Sequence, residues 1–149
     1  MELRPLDDSH AELLRSLQEQ EDVWEFVGAL PLPREEGGGG GQTHHLFAIL
    51  EDRVPLGIGG LVTSQGLGSN DFELLCVLRS EAQRRGFAKR ACDLLLGWAF
   101  GTAKLERVIA CIDDANEGAR SIATRLGMKE VSAMPAGRTV YVKYRDEHA

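Results

Sequence analysis

The feature that most constrains the fold is an unbroken apolar run in the second half of the chain, Val108-Ile109-Ala110-Cys111-Ile112. Such a run is typical of a strand that is buried on both faces, because neither face offers polar side chains to water. The segment before it, residues 86–100, predicts an amphipathic helix, since one of its faces is small and apolar: Ala88, Ala91, Cys92, Leu95 and Ala99.

Shorter strands and helices are predicted over the rest of the chain. Ser9 followed by Glu12 is the pattern of a capping box, which predicts a helix from there to about Glu19. Apolar spacing and turn residues predict the other elements: strands at 2–5, 46–50, 56–63, 72–78, 129–133 and 139–144, and helices at 22–28 and 116–126. This order fits one domain over residues 1–149, with no internal repeat and no linker to a second domain.

A run of five glycines, residues 37–41, stands between the second predicted helix and the next strand. Such a run is flexible chain, so residues 34–43 are expected to form a mobile loop within the domain. A phosphate-binding loop would continue into Lys-Ser/Thr and a helix, whereas Gln42-Thr43-His44-His45 leads into a strand. Two neighbouring histidines are also too few ligands for a metal site, and no metal is expected.

The composition excludes several classes of function. The 149 residues include 17 Lys and Arg against 23 Asp and Glu, a net charge of −6, so the chain lacks the broad basic surface that binds nucleic acid or anionic lipid. Its longest apolar stretch, residues 94–100, is far shorter than the roughly 18 residues of a membrane-spanning helix. The first residues lack the parts of a secretory signal, so a cytoplasmic location is expected. The widely spaced cysteines are expected to be buried, reduced thiols: Cys76, Cys92 and Cys111.

The segment Gln83-Arg84-Arg85-Gly86-Phe87-Ala88 joins a predicted strand to a predicted helix. At such a junction the first helical N–H groups have no partner within the helix, and they lie at the positive end of its dipole. Gly86 and Ala88 are small enough to let an anion approach these groups. Four cations surround this turn of an otherwise acidic chain: Arg84, Arg85, Lys89 and Arg90. The segment predicts a phosphate-binding site, with a solvated basic helix start as the alternative.

The same segment matches a family motif. The pattern Gln-x-x-Gly-x-Ala at Gln83, Gly86 and Ala88 resembles the Q/R-x-x-G-x-G/A hallmark of the GNAT superfamily of acyl-CoA-dependent N-acyltransferases. A second segment, residues 116–128, is similar to the family's N-x-x-A/S…L-G-F/M pattern. The predicted order of elements also resembles that of the family over nearly the whole chain.

Two further segments, Leu3-Arg4-Pro5-Leu6 and Arg125-Leu126-Gly127-Met128, are typical of the branch that includes ribosomal-protein N-terminal (Rim-type) acetyltransferases. The resemblance implies an α+β fold of three layers, with a mixed, mostly antiparallel sheet of about seven strands and helices on both faces. It implies acetyl-CoA as co-substrate. The implied binding groups are the strand before the motif, the motif itself and an Asn near the thiol: Cys76, Val77, Leu78, Gln83, Arg84, Arg85, Gly86, Phe87, Ala88, Lys89 and Asn116.

The implied reaction is attack of an amine on a thioester carbonyl. A protonated amine cannot attack, so a base must take a proton, and the developing oxyanion needs a hydrogen-bond donor. The resemblance implies Glu73 as the base, acting through a water, and a backbone N–H near Cys76 as the donor. The alternative for Glu73 is a surface carboxylate on a half-exposed strand. Ala123 replaces the family's frequent thiolate-protonating Tyr, so water, Ser121 or Tyr141 is expected to protonate the thiolate.

The acceptor and partners are the least constrained part. The resemblance implies that the N-terminal helices, the 31–43 loop and residues 133–141 line the acceptor site. The expected acceptor is a primary amine, either a protein α-amine or a small molecule such as a polyamine, an amino acid or an amine antibiotic. An acyl-CoA-binding sensor without turnover is the alternative, because Ala119 and Ala123 stand where many relatives carry Ser and Tyr. An exposed strand edge near the C-terminus is consistent with a homodimer.

Overall fold

The computed structural model describes residues 1–20, 44–64, 67–68, 70–135 and 137–148. The predicted helix at 22–28 and the predicted mobile loop at 34–43 lie outside the described residues. The described chain contains three α-helices, α1 (Ala11–Gln18), α2 (Phe87–Gly101) and α3 (Glu117–Arg125). Its strands are β1 (Glu2–Pro5), β2 (His44–Glu51), β3 (Val54–Ser64), β4 (Asp71–Leu78), β5 (Arg107–Asp113), β6 (Lys129–Met134) and β7 (Arg138–Tyr144).

The seven strands form one sheet in the order β1-β2-β3-β4-β5-β7-β6. Neighbouring strands are antiparallel except β4 and β5, which are parallel. The two parallel strands share one bridging pair, Glu73 with Ile109, whereas β4 stays paired with β3 as far as Leu78. The predicted mixed, mostly antiparallel sheet is confirmed, and β4 and β5 separate beyond their single bridge.

Helices cover both faces of the sheet, which gives the predicted three layers. On one face α1 places Leu13 and Leu17 against Ile58 and Val77. On the other face α2 and α3 pack onto the sheet in a cluster that includes Leu95, Leu96, Val108, Ala110 and Ala123. Ile109, between Val108 and Ala110, belongs to a separate cluster with Val140 and Val142. The first three residues of the apolar run are therefore buried on both faces, as the sequence predicts, whereas Cys111 and Ile112 are half-buried.

The start of the first helix differs from the prediction. Asp7, not Ser9, is the capping residue: its side chain accepts a hydrogen bond from the Ser9 N–H at 2.9 Å, and His10 Nδ1 accepts one from the Asp7 N–H at 3.1 Å. These bonds cap a 3₁₀ turn, Asp8–His10, and α1 follows from Ala11. The predicted Ser9–Glu12 box is wrong because helical backbone begins two positions earlier, with Asp7 as its cap and Ser9 inside the first turn.

The other element ends agree with the predictions to within one or two residues, which is the usual scatter at element ends. α2 begins at Phe87 after Gly86, whose φ of 81° lies in the left-handed region that glycine adopts without strain. Within the described ranges, no helix is long and apolar enough to span a membrane.

Candidate active site

A cavity of about 170 Å³ opens where β4 and β5 separate. One wall is the β4 segment from Glu73 to Cys76, and the facing wall is the β5 segment from Ala110 to Asp113. Helices close the remaining sides, with residues of α2, of α3 and of the turns around them: Ala88, Cys92, Asn116, Ala119, Ile122, Ala123, Leu126 and Met128. The cavity exists because two parallel neighbours diverge, which leaves backbone and side chains of both strands facing a gap.

Glu73 is held in this gap by the backbone of the opposite strand. Its carboxylate Oε1 accepts a hydrogen bond from the Cys111 N–H at 3.0 Å. Arg138 of β7 completes the arrangement, because its Nη2 donates to the Cys111 carbonyl oxygen at 2.6 Å. Both backbone groups of Cys111 are thus bonded to side chains at a point where the strand has lost its β4 neighbour. The carboxylate of Glu73 is fixed at the opening rather than free on the surface.

The Cys111 thiol lies beside the Glu73 carboxylate. Burial and the negative charge of Glu73 raise the pKa of the Cys111 thiol, and a hydrogen bond with the Ser64 side chain opposes them in part. The thiol is therefore protonated at neutral pH.

The other two cysteines also line the cavity. Cys92 is buried, as expected, but Cys76 and Cys111 are half-buried, so the expectation of three buried thiols is wrong for these two. They are open to the cavity because β4 and β5 do not pair there. All three are free cysteines.

The turn before α2 has the geometry of an open helix start. Gly86 is the N-terminal capping residue of α2 and Arg84 has a positive φ of 61°, so the chain turns sharply before the helix. No side chain of the described residues caps this helix start. Gln83 stabilises the approach, because its Nε2 donates to the Leu78 carbonyl oxygen at 3.1 Å. The predicted anion site therefore has first-turn N–H groups of α2 without a side-chain cap.

The four cations of this turn are not equivalent. Lys89 Nζ lies 2.7 Å from Asp93 Oδ2, one helical turn further on. Arg90 Nη1 lies 2.6 Å from Glu51 Oε2. Arg84 and Arg85 are exposed, and Arg85 stands over the Phe87 ring, with its guanidinium carbon 5.5 Å from the ring centroid. Lys89 and Arg90 thus form ion pairs with neighbouring carboxylates at this turn.

The remaining predicted site residues fall into two groups. Asn116 lines the cavity and caps α3, since its Oδ1 accepts from the Ala119 N–H at 3.1 Å. Ser121 and Tyr141 line a separate, open depression on the other side of α3. The Tyr141 hydroxyl lies 3.4 Å from Glu130 Oε1 in that region. The structure therefore brings Glu73, Cys76, Ala88 and Asn116 together and does not bring Ser121 or Tyr141 to them.

Two features of the site were not predicted. Arg138, which holds the Cys111 carbonyl, lies far along the chain in β7, and no local pattern marks it. Asp71 and Arg107 form a forked ion pair at the start of β4 and β5, with Nε to Oδ1 at 2.7 Å and Nη2 to Oδ2 at 2.9 Å. This fork joins the two strands just before they separate. A polar residue at the first position of each of two neighbouring strands is the only sequence signal for it.

The comparisons with known proteins agree with this geometry. The sequence model of the family described as acetyltransferase (GNAT) domain matches residues 1–129. The chain belongs to the GNAT acetyltransferase family. As a member, it is an acyltransferase, and acetyltransferases of this family use acetyl-CoA. No sequence among the curated proteins matches the chain significantly.

Solved structures share the fold of this GNAT chain at low sequence identity. An acetyltransferase from Agrobacterium tumefaciens is 21% identical with a TM-score of 0.72, over 95% of this chain and 89% of that one. An acetyltransferase from Thermus thermophilus is 21% identical with a TM-score of 0.69, over 96% of each chain. Spermidine N-acetyltransferase from Vibrio cholerae, in complex with CoA and spermine, is 13% identical with a TM-score of 0.77, over 98% of this chain and 96% of that one.

Proposed function

We propose that this protein transfers the acetyl group of acetyl-CoA to a primary amine by direct attack in a ternary complex. The observation that carries the proposal is the cavity between β4 and β5, which holds the Glu73 carboxylate and is continuous with residues of the α2 start and of α3. Direct attack needs both substrates in one space beside a base. A cavity bounded by Glu73 at one wall and by Ala88 and Asn116 at another meets that need.

The residues present fit coenzyme A. The edge of β4 that faces β5 has lost its strand partner beyond Glu73, so this edge of the segment from Cys76 to Leu78 is open to an extended pantetheine arm, apart from the Leu78 carbonyl oxygen, which accepts from Gln83. At the turn before α2, no atom of the described residues other than Gly86 and its two chain neighbours lies within 4 Å of the place where a Cβ on Gly86 would stand. This space admits a diphosphate to the helix N-terminus, where Arg84 and Arg85 supply positive charge.

Bound acetyl-CoA supplies an activated thioester carbonyl, and the protein supplies position and proton transfer. An alkylamine is protonated at neutral pH, since its ordinary pKa is about 10. Glu73 accepts this proton, directly or through a water, and the bond from the Cys111 N–H keeps the carboxylate oriented toward the cavity. Ser121 and Tyr141 line a different depression, which favours water as the source of the proton that the leaving thiolate takes up.

We propose two classes of amine as acceptors of the acetyl group. The structural likeness to a spermidine N-acetyltransferase favours a polyamine, and the resemblance of Leu3-Arg4-Pro5-Leu6 to the Rim-type branch favours a protein α-amine. Both are cationic amines, and both would be attracted by a carboxylate at the cavity wall.

The test is thiol release from acetyl-CoA in the presence of a panel of amines, which contains polyamines, amino acids, amine antibiotics and peptides with free N-termini. Glu73→Gln is expected to lower kcat at neutral pH by roughly 10²-fold or more, the usual contribution of a general base, with little change in CoA affinity. The matched control is Glu106→Gln, because Glu106 is exposed just before β5 and does not line the cavity. Unchanged turnover in Glu73→Gln would remove this residue from the mechanism.

An acyl-CoA-binding sensor without turnover is the second candidate. Ala119 and Ala123 line the cavity where no hydroxyl of α3 is available to a departing thiolate, and this observation favours it. Tight acetyl-CoA binding without thiol release on any amine of the panel would support the sensor and contradict the transferase.

A further inference from the structure

The three cysteines of the chain all line the cavity between β4 and β5. Cys76 of β4 packs against the core cluster that contains Cys92 of α2, and the interaction with the Cys76 thiol raises the pKa of Cys92. Cys76 is half-buried, whereas Cys92 is only 5% exposed. A wall of the cavity thus carries an adjacent thiol pair with one accessible and one shielded member. The proposed acetyl transfer uses neither thiol.

We propose that Cys76 is a covalent modification site for coenzyme A disulfide, with Cys92 as the resolving thiol. The inference rests on the proposed function, because the CoA moiety has to be held by the cavity and by the turn before α2. Each half of a CoA disulfide carries the same diphosphate and pantetheine as acetyl-CoA. Each half ends in a disulfide sulfur that a thiolate can attack. The cavity therefore selects the disulfide and presents it to Cys76.

The chemistry is two thiol–disulfide exchanges. In the first, the Cys76 thiol loses its proton to solvent, its sulfur forms a bond to one sulfur of the CoA disulfide, and the other CoA leaves as a thiolate that takes up a proton. In the second, the Cys92 thiol loses its proton to solvent, its sulfur attacks the Cys76 sulfur and breaks the bond to CoA, and the second CoA leaves as a thiolate that takes up a proton. The protein dithiol is oxidised to a disulfide, and one CoA disulfide is reduced to two CoA thiols.

The order of the two steps follows from the surroundings of each thiol. The hydrogen bond with Cys76 and burial raise the pKa of the Cys92 thiol, so Cys92 is seldom a thiolate and is shielded from a ligand in the cavity. Cys76 is the half-buried and more accessible member of the pair, so it reacts first. Cys111 lies across the gap, beside Glu73 and Ser64. It is therefore a third thiol in the same cavity and can serve as a matched control for Cys76.

The experiment incubates the reduced full-length protein with CoA disulfide and measures its intact mass over time. In Cys92→Ser we expect a mixed disulfide between Cys76 and one CoA, and this adduct should persist. In the wild type we expect the same adduct to form first and then to lose its CoA as the internal disulfide forms. Cys76→Ser and Cys76→Ala should form no adduct. Cys111→Ser should behave like the wild type. Glutathione disulfide at equal concentration should react at most about one tenth as fast, because it lacks the diphosphate that the turn before α2 holds. Acetyl-CoA should protect Cys76 from the reaction.

Reduced CoA titrated into the same protein in a calorimeter separates the two possible failures. If reduced CoA binds but the wild type forms no adduct, or if Cys76→Ser and Cys76→Ala still form the adduct, the modification site is refuted and the proposed acetyl transfer stands. If reduced CoA does not bind, both proposals are overturned. Melting temperatures of the cysteine variants show that each one is folded under the conditions of the assay.

Discussion

The forked ion pair between Asp71 and Arg107 gives a sharp prediction about how β4 and β5 are joined. The Asp71 side chain is 7% exposed and that of Arg107 is 29% exposed, and two hydrogen bonds of 2.7 and 2.9 Å connect them. Loss of one partner of a buried pair costs about 3–5 kcal/mol, because the other charge stays desolvated. Arg107 keeps part of its contact with water, so we expect Asp71→Ala to lower the free energy of unfolding by about 2–4 kcal/mol.

The assay is urea unfolding followed by circular dichroism, with thermal melting as a second measurement. For a chain of this length, about 2–4 kcal/mol corresponds to a drop in melting temperature of about 5–12 °C. The matched control is Arg90→Ala, which removes an ion pair of similar length whose arginine side chain is 54% exposed. We expect this control to lose no more than about 1 kcal/mol. A loss in Asp71→Ala no larger than in Arg90→Ala would refute the argument that burial makes the fork important.

Three further predictions address the site and the sheet. Glu73→Gln should speed alkylation of Cys111 by iodoacetamide near pH 8, because removing the carboxylate charge lowers the thiol pKa and raises the thiolate fraction; an unchanged rate, read by peptide mass spectrometry, would contradict the contact. Gly60→Ala should destabilise the fold by at least about 3 kcal/mol, since a Cβ there would collide with the carbonyl oxygen of His45 in β2; a stable, soluble variant in urea unfolding would oppose this. Lys143→Met should lower the melting temperature, because the buried Lys143 Nζ donates at 2.6 Å to a carbonyl at the end of α3; equal melting curves would argue against this cap.

The fold was largely predictable from local patterns in the sequence. The apolar run of β5 and the small apolar face of α2 each reflect one element's own burial, and both are read from consecutive residues. The N-terminal cap of the first helix was mispredicted because two acceptors, Asp7 and Ser9, compete within three residues. Local spacing alone does not decide which of them faces the free N–H groups.

The candidate site was predictable only in part. Gln83, Gly86 and Ala88 form a contiguous motif, so their position at the start of α2 follows from the sequence. The partner of Arg90 does not follow in the same way, because that pair joins residues 39 positions apart, whereas the Lys89–Asp93 pair has the local i, i+4 spacing. The bonds of Cys111 to Glu73 and to Arg138 likewise depend on how β4, β5 and β7 lie side by side. Tertiary neighbours of this kind are set by the sheet order, which no local pattern encodes.

The central claim is that the turn before α2 and the adjoining cavity hold coenzyme A, and calorimetric titration of CoA tests it most directly. The wild type should bind one CoA per chain, and Arg84→Ala/Arg85→Ala should bind about tenfold more weakly, since two exposed charges contribute about 0.7 kcal/mol each. The Arg90→Ala control should bind nearly as well as the wild type, because Arg90 is already paired with Glu51. No heat of binding in the wild type, or equal affinity in the double variant, would contradict the account.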